Sequence, residues 1–196
     1  MFWDIPQSIL ERMAYLEEID SRDREDGTPQ VKRLRQVVPE TGRFLALMAA
    51  NALHGHWLEV GTSGGYSGLW LSLACRLRGH PLVTFEISDY KFQLAQETFK
   101  SAGVDEWIIQ VGGDALQHLA QYRPISFCFI DAEKDLYQPC FEQVLPNMVS
   151  GGLFLADNTI SHQQALQPFL DFVANERRVD SMIVPIGKGV LLCRKD

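Results

Sequence analysis

The chain has no CxxC pair, no G-x-G-x-x-G fingerprint, no internal repeat, no low-complexity tract and no apolar run long enough to span a bilayer. Without a spanning run, no membrane partner is expected. The four cysteines, Cys75, Cys128, Cys140 and Cys193, each lie inside an apolar segment and read as reduced core thiols of a reducing compartment. The opening "MFWDIPQSILERM" lacks the basic start and apolar middle of a signal peptide, so a cytoplasmic protein is expected. The formal charge of −7 argues against a broad nucleic-acid surface. Lys32, Arg33, Arg35 and Arg43 form a local basic exception, read as a solvated face in preference to an anion site. What remains is ordinary globular composition, 46% hydrophobic and 22% charged over 196 residues, enough for a single domain with a sizeable core.

Residues 5–22 place Ile9, Met13 and Leu16 at helical spacing, and "DREDGTPQ" ends that pattern. Pro39 suits a helix start, and "ETGRFLALMAANAL" continues it. From His56 the chain alternates. The strands are "HWLEVG", "LVTFEI", "WIIQVGG", "ISFCFID" and "GLFLAD"; the helices are "GYSGLWLSLACRL", "DYKFQLAQETFKSA", "ALQHLAQY", "LYQPCFEQVLPNM" and "QQALQPFLDFVANE". "DSMIVPIG" and "GVLLCRK" close the chain as two strands around a Gly-Lys-Gly turn, too short for a helical crossover. The expected fold class is α/β, a doubly wound, mostly parallel seven-stranded sheet ending in an antiparallel hairpin. Residues 1–55 supply N-terminal helices, and 56–196 the cofactor-binding and catalytic core. Ligands of such sheets bind beyond the carboxyl ends of the strands.

The first three strand ends suit an adenosine-containing ligand. In "LEVGTSGGYSG" the glycines let backbone approach a ligand, the following helix offers N–H groups to an anion, and Ser63 and Ser67 add hydroxyls. Glu86 ends the second strand, where a carboxylate accepts both hydroxyls of a ribose. In "GGDA", Asp114 or the Ala115 backbone would meet an adenine edge. S-adenosylmethionine fits better than NAD: its carboxylate needs donors and its ammonium needs an acid, Glu59 or Asp131. Taken singly, the Gly/Ser turn also reads as a plain turn and Glu86 as a helix cap or surface acid.

The next two strand ends suit a cation. Asp131 closes the fourth strand in "FIDAEKDLY", and Asp157-Asn158 closes the fifth in "LADN". Three hard oxygen donors on neighbouring strands suit Mg²⁺, Mn²⁺ or Ca²⁺, with coordination positions left for water and substrate. Lys134 lies three residues past Asp131. Like-charge repulsion from a cation would lower its pKa and let it act as a general base on an acceptor hydroxyl. Taken singly, Asp131 also reads as a helix cap, and Lys134 as a solvated lysine paired with Glu133 or Asp135.

With those residues in place, the chain resembles the divalent-metal-dependent O-methyltransferases that include catechol and caffeoyl-coenzyme A O-methyltransferase. The likeness covers roughly Val37 to Lys195 and is most specific in "LEVGTSGGYS", "FIDAEKDLY" and "LADN". It implies the Rossmann-like methyltransferase fold, Mg²⁺ held by Asp131, Asp157 and Asn158, and Lys134 as base. It implies ribose binding by Glu86 and adenine contact at Ala115 with Asp114 beside it. Glu59, Gly61, Thr62, Ser63 and Ser67 would surround the methionine part, and the Val37 backbone would close over it. Glu133 would stand near the substrate, a small hydroxylated acceptor, and a homodimer is implied. One departure is "TISHQQALQPFLDFVANERRVD", which lacks the longer insertion of plant members and leaves acceptor identity open; His162 within it reads as a surface histidine. The alternatives are a relative that methylates hydroxyuridine in transfer RNA, an NAD-dependent oxidoreductase, and a non-catalytic S-adenosylmethionine-binding module.

Overall fold

Apolar strands split between two faces by their period of two. In β1 (His56–Val60), Trp57 enters one hydrophobic cluster, while Leu58 and Val60 enter the other. In β4 (Ile125–Ile130), Phe127 and Phe129 face one side, Cys128 and Ile130 the other. Both faces must therefore be covered, and β4 and β2 (Leu82–Glu86) are buried along their whole length. The computed structural model describes residues 4–196; Met1–Trp3, the start of the segment read above for a leader, lie outside them.

Four helices cover the first face: α1 (Gln7–Arg22), α2 (Pro39–Ala50), α3 (Tyr66–Arg78) and α4 (Asp89–Ala102). Ile9, Met13 and Leu16 of α1 form the expected stripe and join the cluster of Trp57 and Phe127, so the N-terminal helices share the core of the sheet. Arg12 is buried with them and donates to the Thr98 hydroxyl at 3.1 Å. α5 (Tyr137–Val144) and α6 (Gln163–Ala174) cover the second face.

The remaining strands are β3 (Ile108–Gly112), β5 (Met148–Ala156), β6 (Val179–Val184) and β7 (Val190–Lys195). All seven form one sheet in the order β3-β2-β1-β4-β5-β7-β6. The first five run parallel; β7 is antiparallel to both β5 and β6, which gives the expected hairpin. The hairpin folds back so that β7 lies inside and β6 is the edge. Two other expectations differ. "ALQHLAQY" forms two 3₁₀ turns, Ala115–Gln117 and Leu119–Gln121, in place of one continuous helix. β5 starts at Met148, four residues earlier than read. Among the described residues no helix is long and apolar enough to cross a membrane, and all four cysteines are buried and free.

Candidate active site

The parallel ladder runs one residue past the strand ends. Val60 pairs with Ile130, and Ile130 with Ala156. The Asp131 N–H then bonds the Val60 carbonyl at 2.9 Å, the Asp157 N–H the Ile130 carbonyl at 3.0 Å, and the Gly61 N–H the Phe85 carbonyl at 3.0 Å. Gly61, Asp131 and Asp157 are thereby set side by side where the strand order reverses between β1 and β4. Gly61 has φ +102, and a Cβ there would lie 2.1 Å from the Asp131 carbonyl oxygen. Only glycine permits that approach.

A cavity of about 630 Å³ opens at this reversal. Of the expected cofactor contacts, Val37, Gly61, Ser63, Ser67, Glu86, Asp114, Ala115 and Asp131 line it. Glu86 accepts the Ser63 N–H at 2.7 Å on one oxygen and the Ser88 N–H at 2.9 Å on the other, which fixes its carboxylate at the wall. Val37 arrives on a strap that follows α1. Asp23 accepts the Leu34 N–H at 2.7 Å, and the Leu34 carbonyl accepts the Ser63 hydroxyl at 2.8 Å. Lys188 donates to the Gln36 carbonyl at 3.3 Å from the β6–β7 turn.

Glu59 and Thr62 lie behind the cavity wall, both buried. Glu59 is fully buried, accepts the Ser67 and Thr84 hydroxyls at 2.6 Å each, and is pushed up to about 7, chiefly by burial. Thr62 shares its hydroxyl with Thr84 at 2.5 Å. Ser67 thus spends its proton on Glu59, and Ser63 spends its own on Leu34. The hydroxyls expected as donors face the cavity as acceptors. Donors for an anion are instead the first-turn N–H groups of α3, which have no intrahelical acceptor.

The second constellation sits beside the first. Asn158, held at φ 67, donates to Asp131 at 2.7 Å. Asp157 is 1% exposed, and neither of its carboxylate oxygens has a protein hydrogen-bond partner. Burial, then the Asp131 charge, pushes Asp157 up to about 7; burial also raises Asp131. A carboxylate this buried and this poorly satisfied, beside a second carboxylate, marks a place for positive charge. Lys134 is the nearest cation, with Nζ 3.9 Å from Asp131. Its pKa is lowered, and burial is the leading cause without any metal; the surrounding carboxylates oppose the shift. Lys134 donates to the Ala132 carbonyl at 2.9 Å and to the Tyr137 hydroxyl at 3.0 Å. Glu133, Lys134 and Asn158 line the cavity, whereas Asp157 lies just behind it.

Several contributors were not anticipated. Tyr137 is fully buried, and its hydroxyl accepts from Lys134 and donates to the Asp157 carbonyl at 3.2 Å. Its spacing of three from Lys134 was the available signal. The basic cluster disperses. Arg35 reaches across the mouth to Glu133 at 2.6 Å, Arg33 bonds the Thr28 carbonyl, and Lys32 lies over the Tyr90 ring. His162 is exposed as read, yet it also forms part of the cavity wall, as do Lys91 and Lys188.

A sheet of this order, with its cavity at the β1/β4 reversal, is the Rossmann-like methyltransferase fold. A sequence profile described as O-methyltransferase matches residues 11–196. The catechol O-methyltransferase of Niastella koreensis is 32% identical over 147 residues, covering 72% of this chain and 64% of that protein. Caffeoyl-CoA O-methyltransferase 2 of Zea mays is 28% identical across 98% of this chain and 83% of its own length. The O-methyltransferase of Bacillus cereus, solved in complex with SAH, superposes with TM-score 0.78 over 95% of this chain and 91% of its own, at 25% identity. The chain belongs to the S-adenosylmethionine-dependent O-methyltransferase family. That membership leaves no place for the NAD-dependent alternative.

Proposed function

We propose that this enzyme methylates a hydroxyl of a small vicinal diol, catechol-like or caffeoyl-like, and needs a divalent cation to do so. The observation that carries the reading is the pair of Asp157 oxygens, buried and without protein partners beside Asp131 and Asn158. This donor set fits Mg²⁺, Mn²⁺ or Ca²⁺: two carboxylates and one amide, all oxygen ligands, with no thiolate or imidazole. Asp131, Asp157 and Asn158 would hold the ion, which when bound makes a hydroxyl touching it more acidic. S-adenosylmethionine, when bound, would supply the methyl group from its cationic sulfur and leave as the neutral thioether.

This chain's residues supply the rest. Glu86 offers its fixed carboxylate to the ribose, Asp114 and Ala115 border the adenine, and the Val37 strap excludes water from the methionine end. A neutral Lys134 has two hydrogens and one lone pair. Its contacts to Ala132 and Tyr137 occupy both hydrogens, which leaves the lone pair to take the acceptor's proton. Holding that oxygen in line with the methyl supplies much of the rate. The transfer RNA alternative is disfavoured by the formal net charge of −7, and of the basic residues it would use Arg33 bonds the Thr28 carbonyl and Lys32 lies over the Tyr90 ring. Cytoplasmic residence and a homodimer remain part of the proposal.

The test is methyl transfer from S-adenosylmethionine to caffeate, catechol, caffeoyl-CoA and transfer RNA, followed by mass spectrometry in chelator and again with Mg²⁺. Methylated diol in Mg²⁺ alone is expected. Full activity in chelator, or methylation of RNA only, overturns the reading.

A further inference from the structure

Lys91 is the charged wall residue that neither the ion nor the cofactor assignment uses. It sits in the first turn of α4 and is 7% exposed. Among the described residues its ammonium has no hydrogen bond and no ion pair. Buried cations are ordinarily paired, so an unpaired one on a ligand cavity points to a counter-charge on the ligand. It lines the same cavity as Glu86 and as Arg35 of the strap; burial lowers its pKa, and the Glu86 charge opposes that.

The wall as a whole agrees. It carries five Lys/Arg and four Asp/Glu side chains, in a chain whose formal net charge is −7. S-adenosylmethionine is cationic overall and the ion is cationic, so neither calls for this local reversal of sign. Of the wall's cations, Lys134 is assigned to the proton and Lys188 is tied to the Gln36 carbonyl. Arg35 is held by Glu133 but is 44% exposed in its side chain, within reach of a competing anion.

We propose that Lys91, with Arg35 on the same cavity wall, recognises a carboxylate on the acceptor, so that the preferred substrate is an anionic vicinal diol and not a neutral catechol. The proposal rests on the O-methyltransferase reading above. A carboxylate is also present on the cofactor, so the test must separate the two sources.

Caffeate and caffeyl alcohol differ in the carboxylate and share the diol. The experiment measures kcat/KM for both, in Mg²⁺, with the wild type, Lys91→Met and Lys91→Gln, alongside calorimetric SAH binding and a thermal melt for each protein. A buried charge-assisted hydrogen bond is worth about tenfold or more, so the wild type should prefer caffeate by that factor. Both variants should lose most of the preference while binding SAH within about twofold of the wild type. Equal use of the two acceptors by the wild type overturns the subsite and leaves the O-methyltransferase reading intact. A preference kept by both variants also overturns it. Weakened SAH binding with an unchanged preference assigns Lys91 to the cofactor's carboxylate and overturns it too. Failure to methylate either acceptor in Mg²⁺ overturns both proposals.

Discussion

Asp157 is the residue at which function and stability oppose each other most directly. Its carboxyl is 1% exposed, lacks hydrogen-bond partners on both oxygens and rises from 3.8 to about 7, because burial and Asp131 disfavour its charge. An acid raised on folding binds more protons folded than unfolded, so its contribution to stability falls as pH climbs from 3.8 to about 7. At about 1.4 kcal/mol per pH unit, the full penalty reaches at most about 4 kcal/mol above that window. Asp157→Asn removes the charge and keeps the shape.

In chelator at about pH 8, Asp157→Asn should therefore melt higher than the wild type, by an amount on the order of 10 °C for a chain of this size. Near pH 5, where the folded carboxyl is protonated but the unfolded one is largely ionised, the gap should shrink to roughly two-fifths of that. Mg²⁺ at roughly a hundred times its Kd should stabilise the wild type by about 2.7 kcal/mol and barely move the variant. Glu59, also raised to about 7, keeps its own pH dependence in both proteins and cancels in the difference. Calorimetry at the two pH values, with and without Mg²⁺, reads all of this. A variant that melts below the wild type in chelator at the higher pH, or that gains as much from Mg²⁺, refutes the reasoning.

Lys134→Ala should lower kcat by about 10²- to 10⁴-fold while calorimetric SAH affinity stays within a few-fold; an unchanged kcat removes it as the base. Tyr137→Phe should cost about 1–3 kcal/mol of stability by leaving a buried carbonyl and amine short of a partner, and it should lower kcat more than it raises KM for S-adenosylmethionine. A loss confined to KM would deny it a role in placing Lys134. Gly61→Ala adds a methyl 2.1 Å from the Asp131 carbonyl oxygen at a positive φ, so the melt should fall by the equivalent of at least about 2 kcal/mol; an unchanged melting temperature would show that the two strand ends are not in contact.

Much of this was legible because the parallel sheet sends every informative residue to one edge. Asp131, Asp157 and Glu86 each follow an apolar run, and such runs end where parallel strands present their ligand-facing ends. Glu59 shows where legibility stopped. It shares the Trp57 face of β1 by the period of two, but its hydroxyl partners, Ser67 on α3 and Thr84 on β2, appear only once both elements pack against β1. The position of β7 between β5 and β6 is similarly hidden, since a hairpin folds back on either side with the same sequence. Tyr137 is a core residue, yet its hydroxyl reaches the Asp157 backbone 20 residues away through packing alone. Lys91 is an unremarked residue of a charged helix in the sequence, and its 7% exposure is visible only in the folded chain.

The most direct test of the central claim is anomalous diffraction from crystals grown with Mn²⁺ and SAH. One peak in contact with Asp131, Asp157 and Asn158, in the same cavity as a cofactor sulfur and with Glu86 on the ribose, is the predicted result. A cation bound elsewhere, or a cofactor lying outside the cavity at the β1/β4 reversal, would contradict it.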